Sequence, residues 1–114
     1  MDLDDAQVGL LTSADTNRIL LNGGFETGQG NEFGEWVAYG PGTLQNVTRD
    51  LLPNNARSGG QCLQMWGAYN GQNNSSGLYQ DIPAAPGETW QASIWARNRP
   101  GDALQGGNQM LFKL

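Results

Sequence analysis

The sequence predicts an all-β fold, an antiparallel β-sandwich, and three observations carry that prediction. Composition favours turns and short strands over helices: 17 glycines stand beside many Asn and Gln residues and a single lysine among 114 residues. One long segment, Thr89 to Arg97, alternates with a period of two, with Trp90, Ala92, Ile94 and Ala96 on one face and Gln91, Ser93, Trp95 and Arg97 on the other. Short apolar runs recur with turn signals between them, and nowhere does a helical period persist for three turns.

The segment 77–98 anchors the reading. It is predicted to be two strands joined by a turn at Pro86-Gly87, because proline presets φ at the second turn position and glycine accepts positive φ at the third. Residues 1–16 hold four of the eleven acidic residues and read as a flexible arm or linker, with at most one helical turn around Ala6 to Leu11. The sandwich then spans 17–114. Ile19-Leu20-Leu21 is a short predicted strand, followed by a turn or bulge at Asn22-Gly23-Gly24. A Gly-rich loop leads to Trp36–Tyr39, and Pro41-Gly42 turns into a strand from Thr43 to Arg49. Asn54 to Gly60 reads as a polar hairpin loop. Gln61 to Trp66 reads as a strand, with Leu63 and Met65 inward and Cys62, Gln64 and Trp66 opposite. A polar loop spans Gly67 to Gly77, and the last predicted strand is Gln109 to Leu114, whose apolar edge predicts a homo-oligomer through strand pairing.

Charge and chemistry narrow the function. A net charge of −5 with six scattered basic residues argues against nucleic acid and anionic membrane surfaces, leaving neutral or cationic partners. Cys62 is alone, so it has no intrachain disulfide partner. No apolar run is long enough for a transmembrane helix, and no stretch has the form of a signal peptide. With no histidine, Ser-His and Cys-His pairs and His-ligated metals are excluded. Glu26, Glu32, Glu35, Asp81 and Glu88 are available as carboxylates, but nothing in the sequence gathers two of them in a cleft, so the expectation is a non-enzyme.

The candidate ligand surface is the face opposite the core. Trp66 and Trp95 fall there by parity, and aromatic rings stack on the C–H faces of sugars while amides and guanidinium groups pair with hydroxyls. Gln64, Gln91 and Arg97 supply such groups, although Arg97 pairs equally well with Asp81 across the predicted hairpin. Tyr69 adds an aromatic from the long polar loop. For each tryptophan the plain alternative is core packing.

Several pieces resemble the carbohydrate-binding modules of families 4 and 9. Asn17-Arg18-Ile19-Leu20-Leu21-Asn22-Gly23-Gly24-Phe25-Glu26 is similar to their opening "N-L-L-x-N-G-x-F-E". Arg57-Ser58-Gly59-Gly60-Gln61-Cys62-Leu63, Tyr79-Gln80-Asp81-Ile82-Pro83 and Pro86-Gly87-Glu88-Thr89-Trp90 through Trp95 follow in the family's order. The resemblance covers residues 17–114. It implies a galactose-binding-like jelly roll, a poly- or oligosaccharide ligand, and an extracellular or cell-surface module of a bacterial protein. It also implies closing strands beyond Leu114 and a structural calcium held by the Glu of the opening motif. That Glu is Glu26 here, without the family's late acidic residue. Two other readings stay open: a structural or adhesion module without ligand, and a minimal glycoside hydrolase, which needs two carboxylates roughly 5–10 Å apart in a cleft.

Overall fold

A computed structural model describes residues 1–13, 17–40, 47–52, 54–66, 70–73 and 75–114. Among them there is no helix, and all strand pairing is antiparallel. The largest sheet has four strands, in the order β5 (Val47–Asp50), β6 (Cys62–Met65), β1 (Asp2–Leu10) and β8 (Trp90–Arg97). Two short ladders, β2 (Gly28–Gln29) with β3 (Glu32–Phe33) and β4 (Val37–Tyr39) with β7 (Gly77–Tyr79), complete a sandwich-like arrangement. The core lies between them. Leu3, Ala6 and Leu63 from the large sheet meet Phe25 and Phe33, with Trp36, Leu78, Ile94 and Met110 packed around.

The first strand corrects the expectation of a flexible arm. Asp2–Leu10 is an inner strand, paired with β6 on one side and with β8 on the other. Its apolar residues follow a period of two broken once: Leu3 lies opposite Ala96, while Val8 and Leu10 lie opposite Ala92 and Trp90. The register shifts between Asp4 and Gln7, so one extra residue is accommodated there as a bulge. Asp5, at φ 49°, takes the left-handed conformation that Asp tolerates better than most residues. The bulge also frees the Ala6 amide, which donates to the Gly23 carbonyl at 2.8 Å. Only glycine fits at 23, because a Cβ there would lie 2.0 Å from the Ala6 oxygen.

Three further expectations are corrected. Ile19-Leu20-Leu21 is not a strand; the Gln80 side chain accepts from the Leu21 amide at 3.1 Å and donates to its carbonyl at 2.6 Å, replacing a ladder. Residues 109–114 form no strand either, and of them Met110 packs against the core while Leu111, Phe112 and Leu114 are exposed. The two strands of 77–98 do not pair with each other: β7 joins β4 and β8 joins β1. The expected strand from Thr43 to Arg49 is described from Val47 onward, within β5.

The turn before β8 forms as read from the sequence. Gly87 has φ 87° and the Glu88 amide donates to the Ala85 carbonyl at 3.3 Å. Glu88 is then gripped by Arg18, with contacts of 2.6 and 2.9 Å, and accepts from the Ala85 amide at 2.7 Å. These bonds, the Arg18 contact first, hold its carboxyl at about 2 against an ordinary 4.5. A carboxyl lowered on folding stabilises above its unfolded value, and the contribution is lost as pH falls through the folded one. The Glu88→Gln protein is therefore expected to be less stable than wild type at neutral pH. The gap should close between pH 4.5 and about 2 in acid melts followed by tryptophan fluorescence.

The β2–β3 hairpin hangs on Asn22. Its side chain donates to the Gly34 carbonyl at 2.7 Å and the Thr27 carbonyl at 3.1 Å, and accepts from the Thr27 amide. Phe25 sits at φ 57°, a strained conformation for a bulky residue. Packing holds it there: its ring stacks on Trp36 at 5.2 Å and meets Phe33 edge-on at 5.7 Å, fully buried.

Candidate functional site

Strand parity gives the large sheet two unlike faces. The inner face carries Leu3, Leu63, Met65 and Ile94 to the core. The outer face is built from the residues between them, and the register places Asp2 across from Gln64 on one side and Arg97 on the other, with Asp4 across from Trp95. Side chains directly opposite in an antiparallel pair share a face, so two acids, an amide, an indole and a guanidinium are gathered on one surface.

Buried acids form the floor. Asp2 is 3% exposed and receives Arg97 Nη2 at 2.9 Å and Arg99 Nε at 2.8 Å. Arg99 reaches on to Asp50, which also accepts from the Leu52 amide at 2.9 Å and Asn55 Nδ2 at 2.8 Å. Burial pushes the Asp50 carboxyl up, but those bonds outweigh it and hold it below its ordinary value, while the two acids hold Arg99 further up. Asp2, Asp50 and Cys62 offer oxygen and sulfur atoms within 4.8 Å of one another. Arg99 meets the charge of both acids, and burial with the neighbouring acids pushes the Cys62 thiol up to about 12, so it remains a protonated thiol.

The polar loop between β5 and β6 folds over this floor. The Arg57 and Ser58 amides donate to Asp4 Oδ2 at 2.7 and 3.1 Å, and Arg57 Nη1 and Ser58 Oγ donate to Asp5 at 2.6 and 2.7 Å. Arg97 closes the loop from the sheet side, donating to the Asn55 carbonyl at 3.0 Å. Between loop and sheet lies a cleft of about 290 Å³ lined by Asp2, Asp4, Asn55, Arg57, Trp95 and Arg97. At its edge the Trp95 indole is 56% exposed, with the Arg57 guanidinium 3.9 Å above the ring centroid.

The structure thus brings Trp95 and Arg97 together. Arg97 pairs with Asp2 rather than Asp81. Gln91 is exposed on the same face of β8 but does not line the cleft. Gln64 is buried beneath the face, so it supports the sheet instead of meeting solvent. Trp66 is exposed beyond the end of β6, also outside the cleft. Tyr69 lies outside the described residues. Asp2, Asp4, Asn55 and Arg57 were missed; the only signal was the Asn54–Gly60 loop, whose polarity suited solvent equally well.

Glu26 joins two segments of the chain. Its carboxylate accepts from the Gly60 amide at 3.1 and 3.2 Å and the Gln61 amide at 3.3 Å, and Gln61 Nε2 donates to its carbonyl at 2.7 Å. These bonds tie the 59–61 segment to the Phe25 loop. A Cβ at Gly59 would lie 2.1 Å from Glu26 Oε1, which shows how closely the two segments approach.

No protein-family model matches the chain, and neither the curated proteins nor the solved structures contain a match to it.

Proposed function

We propose that the chain is a non-catalytic glycan-binding module of the galactose-binding-like jelly-roll type, with Trp95 as the stacking platform and Arg97 and Asn55 as hydrogen-bonding partners. The observation that supports this most is the exposed Trp95 indole beside a polar cleft on the outer face of the large sheet. An indole offers a flat apolar surface for the C–H face of a pyranose, and amide and guanidinium groups nearby suit its hydroxyls. The acids at the cleft floor are held in ion pairs and in hydrogen bonds from backbone amides, and so orient the surface. A neutral poly- or oligosaccharide fits this surface, and the resemblance to carbohydrate-binding modules is what implies an extracellular or cell-surface setting.

A second reading, a structural module without ligand, is favoured by one contact: the Arg57 guanidinium already lies on the Trp95 ring. Affinity electrophoresis against soluble neutral polysaccharides separates the two. Retardation by at least one polysaccharide, little changed by added salt because no ion pair forms with the ligand, is expected for the binding module. Free migration on every polysaccharide of a broad panel supports the ligand-free module instead.

A further inference from the structure

We infer that the outer edge of β8 is a self-association surface, at which two copies of this chain pair β8 with β8, antiparallel, about a twofold axis normal to the sheet. Which groups face that edge follows from one bond. The Leu11 amide donates to the Thr89 carbonyl at 2.8 Å, so Thr89 belongs to the set whose backbone groups point to β1. Backbone direction alternates along a strand. Gln91, Ser93, Trp95 and Arg97 therefore also point to β1, and Trp90, Ala92, Ile94 and Ala96 direct their amides and carbonyls outward. Among the described residues no strand pairs on that side. Three devices that blunt association are absent from this strand: the bulge lies on β1, and β8 contains no proline and no lysine.

Symmetry then restricts the register, and side-chain size and charge choose within that restriction. A twofold normal to the sheet keeps each face on its own side, so an inward residue must oppose an inward residue and paired numbers must sum to an even value. The register centred on Ser93 pairs Trp90 with Ala96 and Ala92 with Ile94, and satisfies the outward groups of all four. Large side chains meet small ones along the apolar stripe. Arg97, the only charged residue of β8, falls beyond the overlap, so no like charges oppose. A second copy is thus complementary to this edge without any change to β8. The same register sets Gln91 of the partner subunit directly opposite Trp95 on the outer face. Its exposed amide, remote from the cleft of its own chain, would complete the ligand surface, a consequence that rests on the glycan-binding reading.

The test combines mass and amide exchange. Sedimentation from micromolar to submillimolar concentration should show monomer passing to dimer. Exchange measured over the same range should show protection rising at the amides of 92, 94 and 96 and constant at those of 91, 93 and 95. Ala92→Pro removes an outward N–H but no bond to β1, and should weaken the dimer about tenfold or more. Ser93→Lys sets two ammonium groups face to face at the axis and should do the same in a fully folded protein. A monomer throughout the range, a dimer whose even-numbered amides stay unprotected, or even-numbered protection already complete in a monomer would each overturn the proposal; the last would place another segment of the same chain on the edge. Loss of the dimer leaves the polysaccharide retardation of the wild-type monomer as a separate result, so the two readings fail independently.

Discussion

Deleting residues 1–10 is expected to abolish cooperative unfolding altogether. β1 is the strand between β6 and β8, so its loss removes two ladders at once and parts the sheet. It also removes Leu3 and Ala6 from the buried core, where each buried aliphatic side chain of Leu size contributes about 1.5–3 kcal/mol. Arg97 and Arg99 lose Asp2. Against a typical domain stability of about 5–15 kcal/mol, the combined loss leaves nothing to hold the fold. Far-UV circular dichroism during heating reads the outcome. A sigmoidal melt in the deleted protein would show that the segment is the dispensable arm its acidity suggests.

Replacing Arg99 by Met should be the most damaging single change on the outer face, at about 3–5 kcal/mol, the usual cost of removing one partner from a buried ion pair. The arginine is held by Asp2 and Asp50, both nearly inaccessible to solvent. Methionine fills the stem's volume but leaves Asp50, among the described residues, with the Leu52 amide and Asn55 as donors. The double change Arg99→Met, Asp50→Leu should recover part of the loss, since an apolar pair of similar volume often matches a buried ion pair. Urea unfolding of the single and double variants measures both numbers. Equal stability of wild type and Arg99→Met would show that the acids are solvated in solution.

What could be read from the sequence was decided by how local each determinant is. The faces of β8 were legible because Pro86-Gly87 fixes where the strand begins and strict alternation does the rest; Trp95 and Arg97 follow from that parity. Its pairing partner was not legible. A turn signal favours joining neighbours, but Gly77–Tyr79 finds β4 and Trp90–Arg97 finds β1, about 90 residues away in sequence. Register across such a distance is set by packing of the whole core, not by the turn. The N-terminal strand was obscured by its acids. Asp2 and Asp4 look like solvated residues until Arg97, Arg99 and the amides of Arg57 and Ser58 are brought to them. The bulge at Asp5 also breaks the alternation that Leu3, Val8 and Leu10 would otherwise display. In the same way only the fold shows that the carboxylate of Glu26 accepts from the amides of the 60–61 segment.

Parity itself remains the claim on which the ligand site stands, and Trp95→Ala beside Trp90→Ala tests it most directly. Trp90 lies on the inner side of β8, partly buried, with Arg18 over its ring at 5.4 Å and its Nε1 donating to Glu88. Trp95 lies on the outer side, more than half exposed. Polysaccharide retardation and thermal stability are measured on both variants. The account expects Trp95→Ala to lose retardation with a change in stability within about 1 kcal/mol, as for exposed positions that carry a surface cation–π pair. It expects Trp90→Ala to keep retardation while losing stability by more than that. Retardation kept by Trp95→Ala, or unfolding of Trp95→Ala with Trp90→Ala intact, would contradict the assignment of the outer face as the binding surface.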